Sequence, residues 1–392
     1  MASQLEQSTE LAKKIGIGCL IFIVIILLGN FIINLFKKPE PPYNPFPQYA
    51  KEEFGDLPNI ELSSLEISDK TNPEYKIETT DGQIPNLPSI VYVYKVKTPR
   101  QSLTAEDDAK SIAESLNFRE DPNPISETEL EWIQGERVLT INKLYKTVSI
   151  KTAYPRLESE ERSNDIEPHE HVYINAASSF LNQAGLFPSQ YDQANLSSLI
   201  YLKLNSNFEL VQAKSAQDAN FVRVDFFRNF ESVGVTIPPG ASDEEKEQYE
   251  SYRVFSQGVL ENPYEGAVSI ILGSSSNKNQ IYELSYTDWE LENRSTYYLQ
   301  GENNAWEQVI QGNGYLRSLM EINSNPFSIY SPREVKSFLL TDVDVVYLIP
   351  KSYQKYILPV YRFSGIAISP DDDEADLEFN IYYPAIKQES NE

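Results

Sequence analysis

The sequence predicts an α+β protein: one N-terminal transmembrane helix, then repeated helix-plus-antiparallel-sheet modules. Three observations predict it. An uncharged apolar run of 22 residues, Ile15 to Phe36, stands near the start. Beyond it come short alternating stretches rich in Val, Ile and Tyr, in a chain that is 12% aromatic, which favours strands. Helix-start signals followed by such stretches then occur twice.

At about 1.5 Å per residue the apolar run covers about 33 Å, enough for a hydrocarbon core of about 30 Å. In lipid a lone span must be helical, because only a helix satisfies its own backbone polar groups. Lys13–Lys14 and Lys37–Lys38 flank it evenly, so the positive-inside rule barely discriminates. The short tail 1–14 is placed in the cytoplasm, and the bulk of the chain outside the plasma membrane as a single-pass protein. Asn30 and Asn34 lie one turn apart on this helix, where they either pair with a partner helix or sit near the interface. A cleaved signal peptide lacks its small-residue cleavage site. A lipidated Cys19 would precede rather than follow its apolar stretch, and a buried core helix would be unusually apolar all round.

Residues 37–88 read as a proline-rich tether, extended by Pro39, Pro41, Pro42, Pro45 and Pro47. A first α+β module spans 89–155. Ser89–Val96 is a strand, Thr104 caps a helix running to Leu116, and Glu129–Ile133, Val138–Leu144 and Thr147–Thr152 form a meander. A central α+β region spans 165–325. It holds a helix over His171–Ala184, strands over Leu199–Leu204 and Asn220–Phe230, and a charged loop or short helix over 240–250. A hairpin over Ala267–Leu272 and Gln280–Glu290 and a short helix over Asn304–Ile310 complete it. A last module spans 326–387. Ser331, Pro332 and Glu334 start a helix to Leu340, and Val343–Ile349, Tyr356–Ile368 and Leu377–Tyr383 are strands. Two helix-then-meander units suggest a duplicated module.

Charge narrows the partners. The chain carries 33 Lys and Arg against 58 Asp and Glu, for a net −25. That excludes nucleic acid and anionic membrane surfaces as preferred partners. The single cysteine, Cys19, lies in the apolar run. The rest of the chain therefore has neither thiol chemistry nor Cys-based zinc sites.

The segment Ile357-Leu358-Pro359-Val360-Tyr361-Arg362-Phe363, followed by Ile381-Tyr382-Tyr383-Pro384-Ala385, resembles bacterial PepSY-like extracytoplasmic regulators of the YycH and YycI type. Ala305-Trp306-Glu307 with Gly312-Asn313-Gly314 adds to the similarity, which covers about half of the region after the anchor. The resemblance implies one anchor, repeated α+β modules, and action by contact with a sensor kinase. It implies no catalytic residue and no cofactor.

Candidate chemistry is sparse. His169 and His171 alternate on one face of Glu167-Pro168-His169-Glu170-His171. Both could reach one metal with Glu167 or Glu170; the plainer reading is a solvated loop entering a helix. Asp371–Asp376 clusters carboxylates suited to calcium, yet lacks the spacing of an EF-hand. No Gly-x-Ser-x-Gly elbow and no phosphate-cradling loop occurs. Trp289, Trp306 and Tyr361 are candidates for a binding surface, against the default of core packing. The function expected is therefore contact with an envelope protein or peptide, without catalysis. The alternatives are a carboxylate-based envelope hydrolase and a structural spacer.

Overall fold

Alternating apolar and polar residues put every second side chain on one face of a strand, and eighteen strands, many of them so patterned, occur among the described residues. In the computed structural model the strands are β1 (Glu74–Ile77), β2 (Ile90–Val96), β3 (Asn123–Pro124), β4 (Glu129–Gln134), β5 (Arg137–Asn142) and β6 (Val148–Thr152). Next come β7 (Ser197–Leu204), β8 (Leu210–Gln212), β9 (Phe221–Phe226), β10 (Arg228–Val233), β11 (Val254–Val259) and β12 (Val268–Leu272). The last six are β13 (Ile281–Tyr286), β14 (Leu291–Tyr298), β15 (Tyr315–Glu321), β16 (Ser337–Leu348), β17 (Tyr356–Ile368) and β18 (Leu377–Pro384). Four α-helices occur among the described residues: α1 (Ala105–Ser115), α2 (Glu170–Gln183), α3 (Asp243–Glu250) and α4 (Glu302–Gln308). The structure describes residues 46–68, 72–157, 166, 168–187, 191, 197–238, 240–273, 280–322, 324–371 and 375–387.

The strands form two nine-stranded sheets. The first runs β10-β11-β16-β17-β18-β15, with β1 added to β16, β2 to β17 and β14 to β2. The second runs β3-β4-β5-β6-β13-β12-β9-β7-β8. The chain passes between them four times, after β2, β9, β11 and β13. One core joins them: Tyr94, Phe230, Tyr347 and Ile357 of the first sheet pack in the same cluster as Trp132, Leu139, Val224 and Leu284 of the second. Helices α1 and α2 close this core through Ala109, Ala113, Tyr173, Ala177 and Leu181.

Two of the crossings are pinned together. Residues 220–230, expected as one strand, divide at Phe227 into β9 of one sheet and β10 of the other. The link from β13 to β14 lies beside this break. There Arg228 Nη1 donates to Asp288 Oδ1 at 2.6 Å and to the Trp289 carbonyl at 2.7 Å. Tyr191 donates to Asp288 at 3.0 Å, and Trp289 Nε1 donates to the Pro350 carbonyl at 2.8 Å. A buried cation costs several kcal/mol unless it is paired and hydrogen-bonded; here the pairing ties one break to the other.

The expected repeated helix-plus-sheet modules are not what forms. Mostly β structure is built, with strands of each sheet drawn from distant parts of the chain. No helix follows Ser331. Residues 337–348 become β16, hydrogen-bonded to β17 on one edge and, at Ser337–Leu340, to β1 on the other. Two ladders and burial of Phe338 and Leu340 override the local helix-start signal. Among the described residues the two helix-then-meander units are therefore not formed.

The stretch from Pro47 to Pro88 is not a free tether either. Glu52 N donates to the Thr296 carbonyl, Leu65 N to the Leu316 carbonyl, and Phe54 stacks on Tyr356 at 5.3 Å. Its prolines keep it extended, and it crosses the first sheet from β14 to β15 in that form. The single-pass membrane expectation is also corrected. No helix among the described residues is long and apolar enough to cross a membrane, and the predicted span 15–36, with Ile15, Asn30, Asn34 and Phe36, lies outside them.

Candidate functional site

The residues expected to form a binding surface are core residues. Trp289 and Trp306 are 3% exposed and Tyr361 is fully buried. Trp306 sits between Tyr75 and Phe363, with ring centroids 5.7 and 5.2 Å away. Their size and apolarity, which suggested a groove, serve packing instead. Of the Asp371–Asp376 run, Asp372, Asp373 and Glu374 lie outside the described residues.

The histidines lie at the start of α2. The rings of His169 and His171 are 5.7 Å apart, on exposed residues. Glu167 lies outside the described residues. Among those described, no group of three or more His, Cys, Asp or Glu is placed to hold a metal ion.

His171 does belong to a concave site. Helix α2 turns Tyr173, Ala177 and Leu181 inward, a spacing of four that puts them on one stripe. The adjoining stripe of Val172, Ala176 and Phe180 is half-buried. Beside it stand His171, Asn175, Ser179 and Gln183, and together with Asn117 these residues line a groove of about 630 Å³.

Both helix ends at this groove are built by the same device. Helix α1 ends with Asn117 at φ +66°, its N–H donating to the Glu114 carbonyl while Phe118 N donates to the Ala113 carbonyl. Helix α2 ends with Gly185 at φ +68°, its N–H on Asn182 and Leu186 N on Leu181. These are paired bonds of the Schellman type, which need a left-handed residue after the cap. Gly adopts that conformation freely and Asn tolerates it. An asparagine at the α1 position adds a side-chain amide to the groove wall.

The polar lining consists of carboxamides, one hydroxyl and one imidazole, with no carboxylate or ammonium. His171 and Ser179 are eight positions apart, about 12 Å along the helix, too far for a serine–histidine pair. The chemistry offered is hydrogen bonding by neutral donors and acceptors above an apolar floor. Sequence reading found His171 and missed Asn117, Asn175, Ser179 and Gln183. The signal was present in the polar stripe beside the buried one, but which stripe faces a cleft depends on where α1 ends. A second concavity, of about 300 Å³, is lined by Gln300, Asn304, Glu307, Gln308, Tyr383, Pro384 and Lys387.

No protein-family model matches this chain. No curated protein matches it. A solved structure with similarity is an uncharacterized protein from Eubacterium rectale ATCC 33656, at 10% identity and a TM-score of 0.35, covering 78% of this chain and 86% of that one.

Proposed function

We propose that the protein is a binding protein that acts by contact, without catalysis, and that the α2 groove takes a peptide segment of its partner. The observation that carries this reading is the groove's composition: an apolar stripe of Val172, Ala176 and Phe180 beside neutral amide, hydroxyl and imidazole groups. Peptide backbone presents alternating donors and acceptors with no net charge. A neutral, amide-rich wall satisfies such groups without desolvating an ion. The apolar stripe supplies the side-chain burial from which affinity derives.

The test is selection of peptides from a random display library on the whole protein, followed by titration of the enriched peptides against an Ala176→Trp variant that fills the groove. Binding to the parent, weakened about tenfold or more in the variant, is expected. Peptides that bind both proteins equally, or a library that yields none, would overturn the reading.

A further inference from the structure

The β10–β11 hairpin carries features that neither the fold nor the α2 groove uses. Between its strands the chain makes α3, an eight-residue helix in which no residue is buried. Helices this short are marginal alone and normally depend on a packed face. Here local devices hold it. Ser242 N donates to Glu245 Oε2 at 2.7 Å and Glu245 N to Ser242 Oγ at 3.2 Å, a complete capping box. Lys246 pairs with Asp243 at 2.8 Å and Arg253 with Glu250 at 3.2 Å.

Directly after α3 the apolar side chains are open to solvent: Tyr252 is 43% exposed, Val254 36% and Phe255 51%. Val254 and Phe255 are consecutive strand residues and so point to opposite faces. Both being exposed means that this end of β11 is covered on neither face. Its edge is open as well. β11 meets β16 only at Gly258 and Val259, so among the described residues no strand pairs with Val254–Gln257 on that side, although Arg362 Nη1 donates to the Gln257 side chain at 3.4 Å. An open edge next to exposed aromatic residues is a template for strand addition.

We infer that the β11 edge at Val254–Gln257 is a docking site for an extended, lysine- or arginine-rich segment of a partner protein. Charge complementarity selects the occupant. α3 carries Asp243, Glu244, Glu245, Glu247 and Glu250 against Lys246 alone, and it stands at the head of the strand that would be paired. Cationic residues of the segment lie over α3, its apolar residues cover Tyr252 and Phe255, and its backbone pairs with β11. A second copy of this chain is disfavoured, since both molecules would bring a net −25 to the contact.

The experiment titrates a fluorescein-labelled heptapeptide of alternating Lys and Val, and its Glu–Val counterpart, into the full-length protein and reads anisotropy. Four variants are compared: Phe255→Ser, the double variant Glu244→Lys/Glu247→Lys, Ala176→Trp in the α2 groove, and Ile133→Ser, which removes an exposed apolar residue of the other sheet. Expected are saturable binding of the Lys–Val peptide alone and losses of about tenfold in Phe255→Ser and in the double variant. The Ala176→Trp and Ile133→Ser variants should bind as the parent does, and unchanged thermal unfolding would show that the hairpin variants remain folded. No binding at about 100 µM, or a loss in the charge variant without one in Phe255→Ser, would overturn the proposal, the latter marking diffuse attraction only. Sedimentation showing a dimer abolished by Phe255→Ser would overturn it in favour of a second copy.

Discussion

Glu283 lies in β13, with Ile271 of β12 between it and Arg223 of β9, whose guanidinium is already held by Asp225 through bonds of 2.6 and 2.8 Å. Asp225 has no exposed surface and also accepts from Gly266 N at 3.1 Å. That pair is closed, so Glu283 has the Tyr154 hydroxyl and the outer field of Arg223 and Lys151 to set against its burial. Burial pushes its carboxyl above the ordinary glutamate value, and the Tyr154 hydroxyl, Arg223 and Lys151 offset only part of this. A carboxyl raised in the folded state is harder to ionise there than in the unfolded chain. It therefore lowers stability at pH values above its folded pKa, and the loss is relieved as pH falls through that value toward the ordinary one. Glu283→Gln should raise the melting temperature near neutral pH, by an amount that shrinks as the pH approaches the ordinary carboxylate range. A gain that stays the same across that range would assign the effect to packing. None of this is legible in the sequence, where Glu283 is one acid among many in an alternating strand. Cross-strand neighbours become known only once β12 lies between β9 and β13.

At the scale of elements, local signals succeed where the chain answers to itself. The helix over 105–115, the strand β12, and the strands Tyr356–Ile368 and Leu377–Pro384 fall within a residue or two of where alternation and turn residues put them, while β13 ends at Tyr286 rather than Glu290. Helix α3 is the extreme case. Its capping box is written in Ser242 and Glu245, and no tertiary contact is needed for it. Ser242→Ala should weaken the helix by about 1 kcal/mol, visible as faster hydrogen exchange over 243–250. The global melting temperature should stay unchanged, because α3 buries nothing. A drop in melting temperature would mean that α3 is packed after all. Ser331-Pro332-Arg333-Glu334 is the opposite case: an equally good helix start that becomes the lead into β16. A capping box contributes about 1 kcal/mol, whereas twelve strand residues paired with β17 along one edge, and with β1 and β11 at the two ends of the other, carry many ladder bonds and the burial of Phe338, Leu340 and Val346.

At the scale of the molecule, the four crossings between the sheets and the core they share make the chain from Pro47 onward one compact unit. It should unfold in a single transition, with far-ultraviolet and near-ultraviolet circular dichroism coinciding. Two separated transitions would show that each sheet stands alone. The candidate groove was half legible for the same reason the modules were misread. His171 and the polar stripe of α2 are visible in the sequence, while Asn117 joins them only through the packing of α1 on the shared core. The sequence by itself determined the acidic charge, the strand-rich character, the positions of most strands and the capped α3, because charge, alternation and capping act within a few residues. Only the tertiary structure decided that residues 220–230 divide between two sheets, that 337–340 is strand rather than helix, and that the three predicted modules interleave. Strand partners are chosen by burial and hydrogen bonding across hundreds of residues, and no local pattern records which of several compatible partners lies alongside.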